Sequence, residues 1–185
     1  MYEKISLPLS RHDVQRLRAG DQVLLSGELL VARDAAHKRL VAALDAGQDM
    51  PVDLRGQTIY YMGPSPARPG AVIGAAGPTT SGRMDGYVER LLQAGLRGMI
   101  GKGMRAPAVV AAIRAHEAIY FAALGGAGAV AARHISAAAV VAYEDLGAEA
   151  LRCITVADLP VTVVNDCRGG DWYVQGRQQY CRAET

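Results

Sequence analysis

The alternation of helical and extended segments is the feature that most constrains the fold of this chain. In the first two-thirds, apolar residues recur at helical spacing in segments such as 85–95, and β-type apolar runs such as 23–32 and 97–101 lie between such segments. Extended runs dominate the remainder, at 118–124, 136–146, 153–158 and 161–166. We therefore predict an α/β fold with a mixed central sheet. A length of 185 residues favours one domain over residues 1–185.

Local signals place the first elements. Ser10 is a typical N-cap residue for a short helix that we expect to end at Gly20. The strand at 23–32 contains Gly27, which predicts a turn or bulge there. Asp34 follows as the expected cap of the next helix.

Two further strands are predicted at 58–63 and 71–76, on either side of the loop PSPARPG. The prolines and glycine of this loop prevent regular strand pairing, so the sheet is expected to resume at Ala71.

Composition excludes several classes of protein. The net charge is only +2, and no run of lysine and arginine with interleaved aromatic residues is present, so we expect no nucleic-acid partner. No apolar run reaches the roughly 20 residues that a bilayer requires. The N-terminus lacks the pattern of a secretory signal, so we expect a cytoplasmic protein that does not span a membrane.

The three cysteines, Cys153, Cys167 and Cys181, are widely spaced and form no Cys-x-x-Cys pair. They are interpreted as free thiols in a reducing compartment. Their spacing offers no local part of a zinc or iron–sulfur site, so we assign no metal ligand to this chain.

Two glycine-rich segments resemble nucleotide sites but fail on geometry. GMIGKG has Leu96 where a P-loop needs its first glycine, and Gly103 where it needs serine or threonine. Residues 126–131 match G-x-G-x-x-A, with Glu144 near the distance of a ribose-binding acid. Too few residues precede the strand near Ile135 for the crossover helix of a dinucleotide fold, so a small-residue turn is the favoured interpretation.

The segment GPTTSGRMD, residues 77–85, has the character of an anion site. It combines a Gly-Pro turn, hydroxyl groups and Arg83 at the expected start of a helix, where free N–H groups favour a negative charge. The alternative is that Thr79, Thr80 or Ser81 only caps the helix and Arg83 is a solvated charge.

Two more cations follow strands in the same way. Arg33 comes after the strand that ends at Ala32, and Lys102 comes after the strand RGMIG. Ligands of open α/β sheets gather at the carboxyl ends of the strands, so Arg33, Arg83 and Lys102 are expected to converge on a small polyanion such as a dicarboxylate.

Six segments, in this order, resemble the C-terminal region of class I fumarases and the beta subunit of L(+)-tartrate dehydratases. These segments are VARDAAHKRL, IYYMGP, GPTTSGRMDGY, GKG, YEDLGAEAL and VADLPVTVVNDCRGGDWY. The resemblance spans nearly the whole chain. It implies a swivelling β/β/α domain that closes over a [4Fe-4S] cluster held by the cysteines of a separate alpha region.

The resemblance also implies roles for individual residues. Arg33, Arg83 and Lys102, with Thr80, would bind the carboxylates of the substrate, and Thr79 would act at the reacting carbon. His37 and Asp34 would support them, with His37 expected to be buried or to face its helix.

The implied reaction is the reversible hydration of fumarate to L-malate by a beta subunit that needs a cluster-bearing alpha subunit, in a homodimer or an alpha2-beta2 assembly. Where many fumarases read Lys-Gly-Asn-Arg-Ser, this chain reads Lys102-Gly103-Met104-Arg105-Ala106, so L(+)-tartrate remains an alternative substrate. A dicarboxylate-binding module without catalysis and a dinucleotide-dependent oxidoreductase are the other readings of the sequence.

Overall fold

A computed structural model describes residues 2–181 of the protein. The sheet of this part of the chain contains seven strands. They are β1 (Glu3–Ser6), β2 (Gln22–Val31), β3 (Thr58–Tyr60), β4 (Gly98–Gly101), β5 (Ile119–Ala122), β6 (Ile135–Ala142) and β7 (Leu151–Asn165).

The helices are α1 (Arg11–Arg16), α2 (Asp34–Asp45), α3 (Asp85–Gln93), α4 (Pro107–Ala115), α5 (Gly128–Arg133) and α6 (Trp172–Tyr180). Two 3-10 helices, η1 (Ser81–Met84) and η2 (Glu144–Glu149), precede α3 and β7 respectively. Within the described residues, no helix is long and apolar enough to cross a membrane.

The sheet is mixed, as predicted, and it closes on itself. Strands β1 to β5 run parallel in the order β1-β2-β3-β4-β5, and β7 is antiparallel to β5, β2 and β6. Because β7 pairs with both β5 and β2, the strands β2, β3, β4, β5 and β7 form a closed ring. The carboxyl ends of β2, β3 and β4 therefore lie side by side on one rim of the ring.

The strands alternate their side chains between two cores. One core contains residues from all five strands of the ring, such as Leu25, Tyr60 and Phe121, and fills its interior. The other, which includes Ile59 and Tyr120, packs the outside of the sheet against α2, α3 and α4. Burial of apolar side chains on both faces holds these strand ends in fixed positions.

The predicted strand at 71–76 is absent, because β4 already occupies the free edge of β3. This segment is instead tied to the preceding loop and to a distant glycine. Ala75 N donates to Ser65 Oγ at 2.8 Å, and Ala76 N donates to the Gly128 carbonyl at 2.9 Å.

The strands predicted at 153–158 and 161–166 are one continuous strand, β7. The strand continues through Pro160, which is paired with Leu24 of β2, and its irregularity lies two residues earlier at Asp158, which has a φ of 51°. The break in register lies opposite Gly27, whose φ is 124°. The bulge predicted at Gly27 is thus confirmed, and it absorbs the kink of both strands.

Three smaller predictions need correction. Helix α1 begins after Ser10 as expected but ends at Arg16, and Gly20, with a φ of 99°, belongs to the turn that leads into β2. Arg33, not Asp34, is the N-cap residue of α2. The segment after Gly126 is not a turn but the short helix α5, whose Gly128 lies against Gly77.

Candidate active site

The candidate site lies on the rim formed by the carboxyl ends of β2, β3 and β4. The segment from Thr79 to Ser81 runs between the ends of β3 and β4. Thr79 N donates to the Tyr61 carbonyl at 2.8 Å, and Lys102 N donates to the Thr79 carbonyl at 3.3 Å. Ser81 N donates in turn to the Lys102 carbonyl at 2.9 Å. The backbone thus brings the GPTTSGR segment directly beside Lys102.

Arg33 lies just beyond β2, with its side chain 22% exposed. Its Nη2 is 3.4 Å from Glu149 Oε1 in η2. A Cβ at Gly63, which follows β3, would come within 2.8 Å of Arg33 Nη1. The absence of a side chain at Gly63 therefore makes room for the guanidinium between the end of β3 and η2.

Arg83 and Thr79 lie within reach of Asp34. Arg83 Nη2 is 2.8 Å from Asp34 Oδ2, and Arg83 Nη1 donates to Thr79 Oγ1 at 3.5 Å, a long hydrogen bond. Arg33 Nε is 3.9 Å from the same Asp34 oxygen. One carboxylate therefore lies between two guanidinium groups, and the Arg83 side chain remains 48% exposed. Arg33 and Arg83, two of the three cations predicted to converge, therefore both lie next to Asp34.

Lys102 has a fixed backbone and a free side chain. It forms a parallel bridge with Thr80, and both side chains are exposed at the rim. Among the described residues, the Lys102 ammonium has no ion-pair partner. An unpaired lysine on the same rim as Arg33 and Arg83 leaves the rim with an excess of positive charge.

The hydroxyl groups of this segment do not act as helix caps. Thr80 is the N-cap residue of η1 but forms no capping hydrogen bond with its side chain. The Ser81 hydroxyl is buried and lies 2.9 Å from the Tyr120 hydroxyl. The cap interpretation is therefore wrong, and so is that of Arg83 as a purely solvated charge, because it pairs with Asp34.

His37 is buried below the rim, as expected. Its Nδ1 lies 2.8 Å from the Arg33 carbonyl, and its ring contacts Tyr61 edge-on at 5.2 Å between centroids. Burial lowers the pKa of His37 to about 4, so the ring is neutral at physiological pH and Nδ1–H donates to Arg33. His37 thus helps to fix the backbone that carries Arg33.

Sequence reasoning missed residues that act only through tertiary contacts. Glu149 pairs with Arg33 and accepts a hydrogen bond from Ala35 N at 3.0 Å, although it lies far along the chain. The buried Arg105 and the partly exposed Asp85 form an ion pair behind the rim. Asp85 stands at the end of the GPTTSGRMD segment, but its pairing with Arg105 could not be predicted from the sequence.

The described residues do not fit an iron–sulfur cluster. They contain no group of three or more histidine, cysteine or acidic side chains that could hold a metal ion. Cys153 lies within β7, whereas the Cys167 thiol donates to the Val14 carbonyl at 3.4 Å. Burial raises the pKa of both thiols, which disfavours the thiolate needed for ligation.

The described residues thus form a closed ring of strands, surrounded by helices, with Arg33, Arg83 and Lys102 on the rim at the carboxyl ends of β2, β3 and β4. The chain belongs to the family described as Fumarase C-terminus, which matches residues 2–176.

Curated relatives support this membership. The chain is 38% identical over 161 residues to "Fumarate hydratase class I, aerobic" of Salmonella typhimurium, covering 86% of this chain and 28% of the relative. It is 37% identical over 174 residues to "Fumarate hydratase 2" of Leishmania major, covering 92% and 30%. The chain thus spans less than a third of the length of these enzymes.

A shorter relative matches over most of its length. The chain is 30% identical over 171 residues to "Putative L(+)-tartrate dehydratase subunit beta" of Methanocaldococcus jannaschii, covering 89% of this chain and 88% of the relative. These relatives are hydro-lyases by name, and the last is named as one subunit of an enzyme.

Proposed function

We propose that this chain is the beta subunit of a [4Fe-4S]-dependent hydro-lyase that hydrates fumarate reversibly to L-malate in the cytoplasm. The observation that carries the proposal is the meeting of Arg33, Arg83, Lys102 and Thr79 on one rim, in a chain that matches the Fumarase C-terminus family over residues 2–176. The cluster is assigned to a separate alpha subunit, because the described residues do not fit one.

The rim residues suit a substrate with two carboxylates. Arg33 and Arg83 present planar guanidinium groups, which bind a carboxylate through two parallel hydrogen bonds. Lys102 supplies a third positive charge, and Thr80 an exposed hydroxyl, from the neighbouring strand end. Asp34 pairs with Arg83 at 2.8 Å, so a substrate carboxylate would share the Arg83 guanidinium with Asp34 or displace it.

Thr79 is proposed to act at the reacting carbon as one part of the base that moves its proton. A cation beside a hydroxyl favours its deprotonated form, and Arg83 Nη1 lies 3.5 Å from Thr79 Oγ1. Removal of a proton next to a carboxylate builds a second negative charge on that carboxylate. Fixed cations directed at it lower the barrier, and one such group contributes ~3 kcal/mol.

L(+)-tartrate is the second candidate substrate. The relative that this chain matches over most of its length is named as a tartrate dehydratase subunit beta. Met104, 52% exposed, also stands beside Lys102 where many fumarases have asparagine. A change from amide to thioether alters the hydrogen bonds available to a substrate hydroxyl.

The test is anaerobic reconstitution of the chain with a cluster-bearing alpha subunit from the same organism. Turnover is measured with fumarate, L-malate, L(+)-tartrate and D-tartrate. We expect interconversion of fumarate and L-malate. Oxaloacetate formation from L(+)-tartrate alone would establish the second candidate, and turnover of none of these acids would contradict the proposed activity.

A further inference from the structure

Arg105 is a buried cation directly behind the rim. Its side chain has no exposed surface, which is rare for arginine. The guanidinium lies between the rings of Tyr61 and Tyr120, with its carbon 5.4 and 4.9 Å from their centroids. Arg105 Nε donates to Asp85 Oδ1 at 2.8 Å. Two aromatic faces and one carboxylate together hold this group in a single orientation.

The ion pair links two segments that carry rim residues. Asp85 lies two residues after Arg83 and begins α3. Its second oxygen, Oδ2, accepts a hydrogen bond from Ala106 N at 2.8 Å, at the start of α4. Asp85 therefore binds the segment after Lys102 through both a side chain and the backbone.

A second link lies beside the first. The Tyr120 hydroxyl donates to the Gly103 carbonyl at 2.9 Å and lies 2.9 Å from Ser81 Oγ. Gly103 follows Lys102, and Ser81 follows Thr80. The same tyrosine that stacks on Arg105 thus joins the two rim segments from below.

We infer that Arg105 is a positioning residue that fixes the spacing between Lys102 and the segment from Thr79 to Arg83. It cannot touch a substrate, because its side chain is fully buried. Its effect is to hold Lys102 on one loop at a fixed distance from Arg83 on the other loop. A fixed separation selects a ligand with two carboxylates over a ligand with one. The identity of the ligand rests on the proposed function, whereas the link between the loops does not.

The first test measures selectivity in the complex of this chain with its cluster-bearing partner. Succinate and butyrate, which differ by one carboxylate, are compared as inhibitors of fumarate hydration. We expect Arg105→Met to reduce the preference for succinate on the order of tenfold or more, because a small misplacement of binding groups is costly. Arg105→Lys keeps the charge but loses the planar stacking, so its preference should be intermediate.

Arg90 provides the matched control. It is also paired with an aspartate, through Nε to Asp45 Oδ1 at 2.7 Å, but it joins α3 to α2 away from the rim. Arg90→Met should leave the preference for succinate unchanged. An unchanged preference in Arg105→Met would overturn the inference, because the buried pair would then serve stability alone.

The second test uses the chain alone and separates this inference from the proposed activity. Hydrogen exchange is followed at the amides of Ser81 and Lys102, which bond across the two segments. We expect exchange on the order of tenfold faster in Arg105→Met than in wild type, and unchanged exchange in Arg90→Met. If Arg105→Met does not fold, Arg105→Lys and Asp85→Asn are measured instead. Wild-type exchange in these variants would overturn the inference, even if the complex hydrates no acid.

Discussion

Arg83 is the residue at which a binding role and a structural role can be separated most sharply. If its guanidinium binds a substrate carboxylate, Arg83→Met should lower kcat/KM of the reconstituted enzyme on the order of 10²-fold, corresponding to ~3 kcal/mol of transition-state stabilisation. Arg83→Lys retains the charge but not the planar geometry and should recover only part of the loss. Steady-state kinetics with fumarate measures both.

The structure also sets the expected effect of Arg83→Met on stability. Its ion pair with Asp34 is half exposed, so its loss should change the free energy of unfolding by at most about 1 kcal/mol. Arg90→Met is the control, because Arg90 is also partly exposed and pairs with Asp45 away from the rim. A large loss of stability in Arg83→Met with normal kcat/KM would assign Arg83 a structural role.

His37 predicts a pH dependence of stability. Burial lowers its pKa from 6.5 to about 4, so between these values the unfolded chain binds a proton that the folded chain does not. The free energy of unfolding should therefore fall as the pH decreases from 6.5 to 4, by about 3 kcal/mol from this group alone. Above pH 6.5 the contribution is constant, because the ring is neutral in both states.

Urea unfolding of wild type, His37→Leu and the exposed control His12→Leu at pH 7, 5.5 and 4.5 measures this effect. His37→Leu loses the hydrogen bond to Arg33 and should be less stable at pH 7. Its stability should nevertheless fall less steeply with decreasing pH than that of wild type or His12→Leu. Parallel pH profiles for all three proteins would show that His37 is not the group responsible.

At the scale of elements, most helices and strands were predictable from the sequence, but the pairing of the strands in the sheet was not. Residues 71–76 have the composition of a strand, yet β4 takes the position beside β3. The runs 153–158 and 161–166 were predicted as separate strands, yet β7 continues between them, with Pro160 paired to Leu24 of β2. Such outcomes depend on which edges are already paired, and local patterns carry no information about that.

The same limit applies to the candidate site. Arg33 and Lys102 were predictable because each follows a strand, and parallel strand ends share one rim. Arg83 was expected on the same grounds, but the strand predicted before it at 71–76 is absent, and backbone hydrogen bonds to the ends of β3 and β4 bring its segment to the rim instead. Glu149 and Arg105 were not, because their contacts join segments far apart in the chain. The sequence therefore indicated the groups that face a ligand, and the structure adds those that hold these groups in place.

The loop after β3 yields a prediction at this scale. A Cβ at Gly63 would lie 2.8 Å from Arg33 Nη1 and 3.0 Å from Arg33 Cδ, so Gly63→Ala should displace Arg33 from the rim. We expect KM for fumarate to rise on the order of tenfold, because a misplaced binding group loses most of its contribution.

Gly86→Ala is the control. Gly86 lies in α3 with open space around it, and the substitution should stabilise the protein by up to about 1 kcal/mol without changing KM. Equal KM values in both variants would show that Arg33 can adjust.

At the scale of the whole molecule, closure of the ring explains how a shallow rim can hold several cations in place. Arg33 and Lys102 follow strands that are paired on both sides, and β7 joins the two ends of the ring. The segment from Thr79 to Ser81 is held by backbone hydrogen bonds to the residues that follow β3 and β4. The rim itself is open to solvent, as the exposed side chains of Thr80, Arg83 and Lys102 show. A reaction that requires exclusion of water would therefore need a second protein surface over this rim.

The final prediction follows from this division of roles between two polypeptides. Purified without oxygen, the chain alone should carry no stoichiometric iron or sulfide and show no hydratase activity. Addition of a separately purified, cluster-bearing alpha subunit should restore activity in proportion to the complex formed, as a homodimer or an alpha2-beta2 assembly. Iron and sulfide analysis, size-exclusion chromatography with light scattering and a fumarate hydration assay measure the cluster content, the complex formed and the activity.

The alpha subunit alone is the control, and it should retain its cluster without turnover, because it lacks Arg33, Thr79, Arg83 and Lys102. Tight cluster binding by this chain alone, or full activity of the alpha subunit alone, would contradict the proposed division.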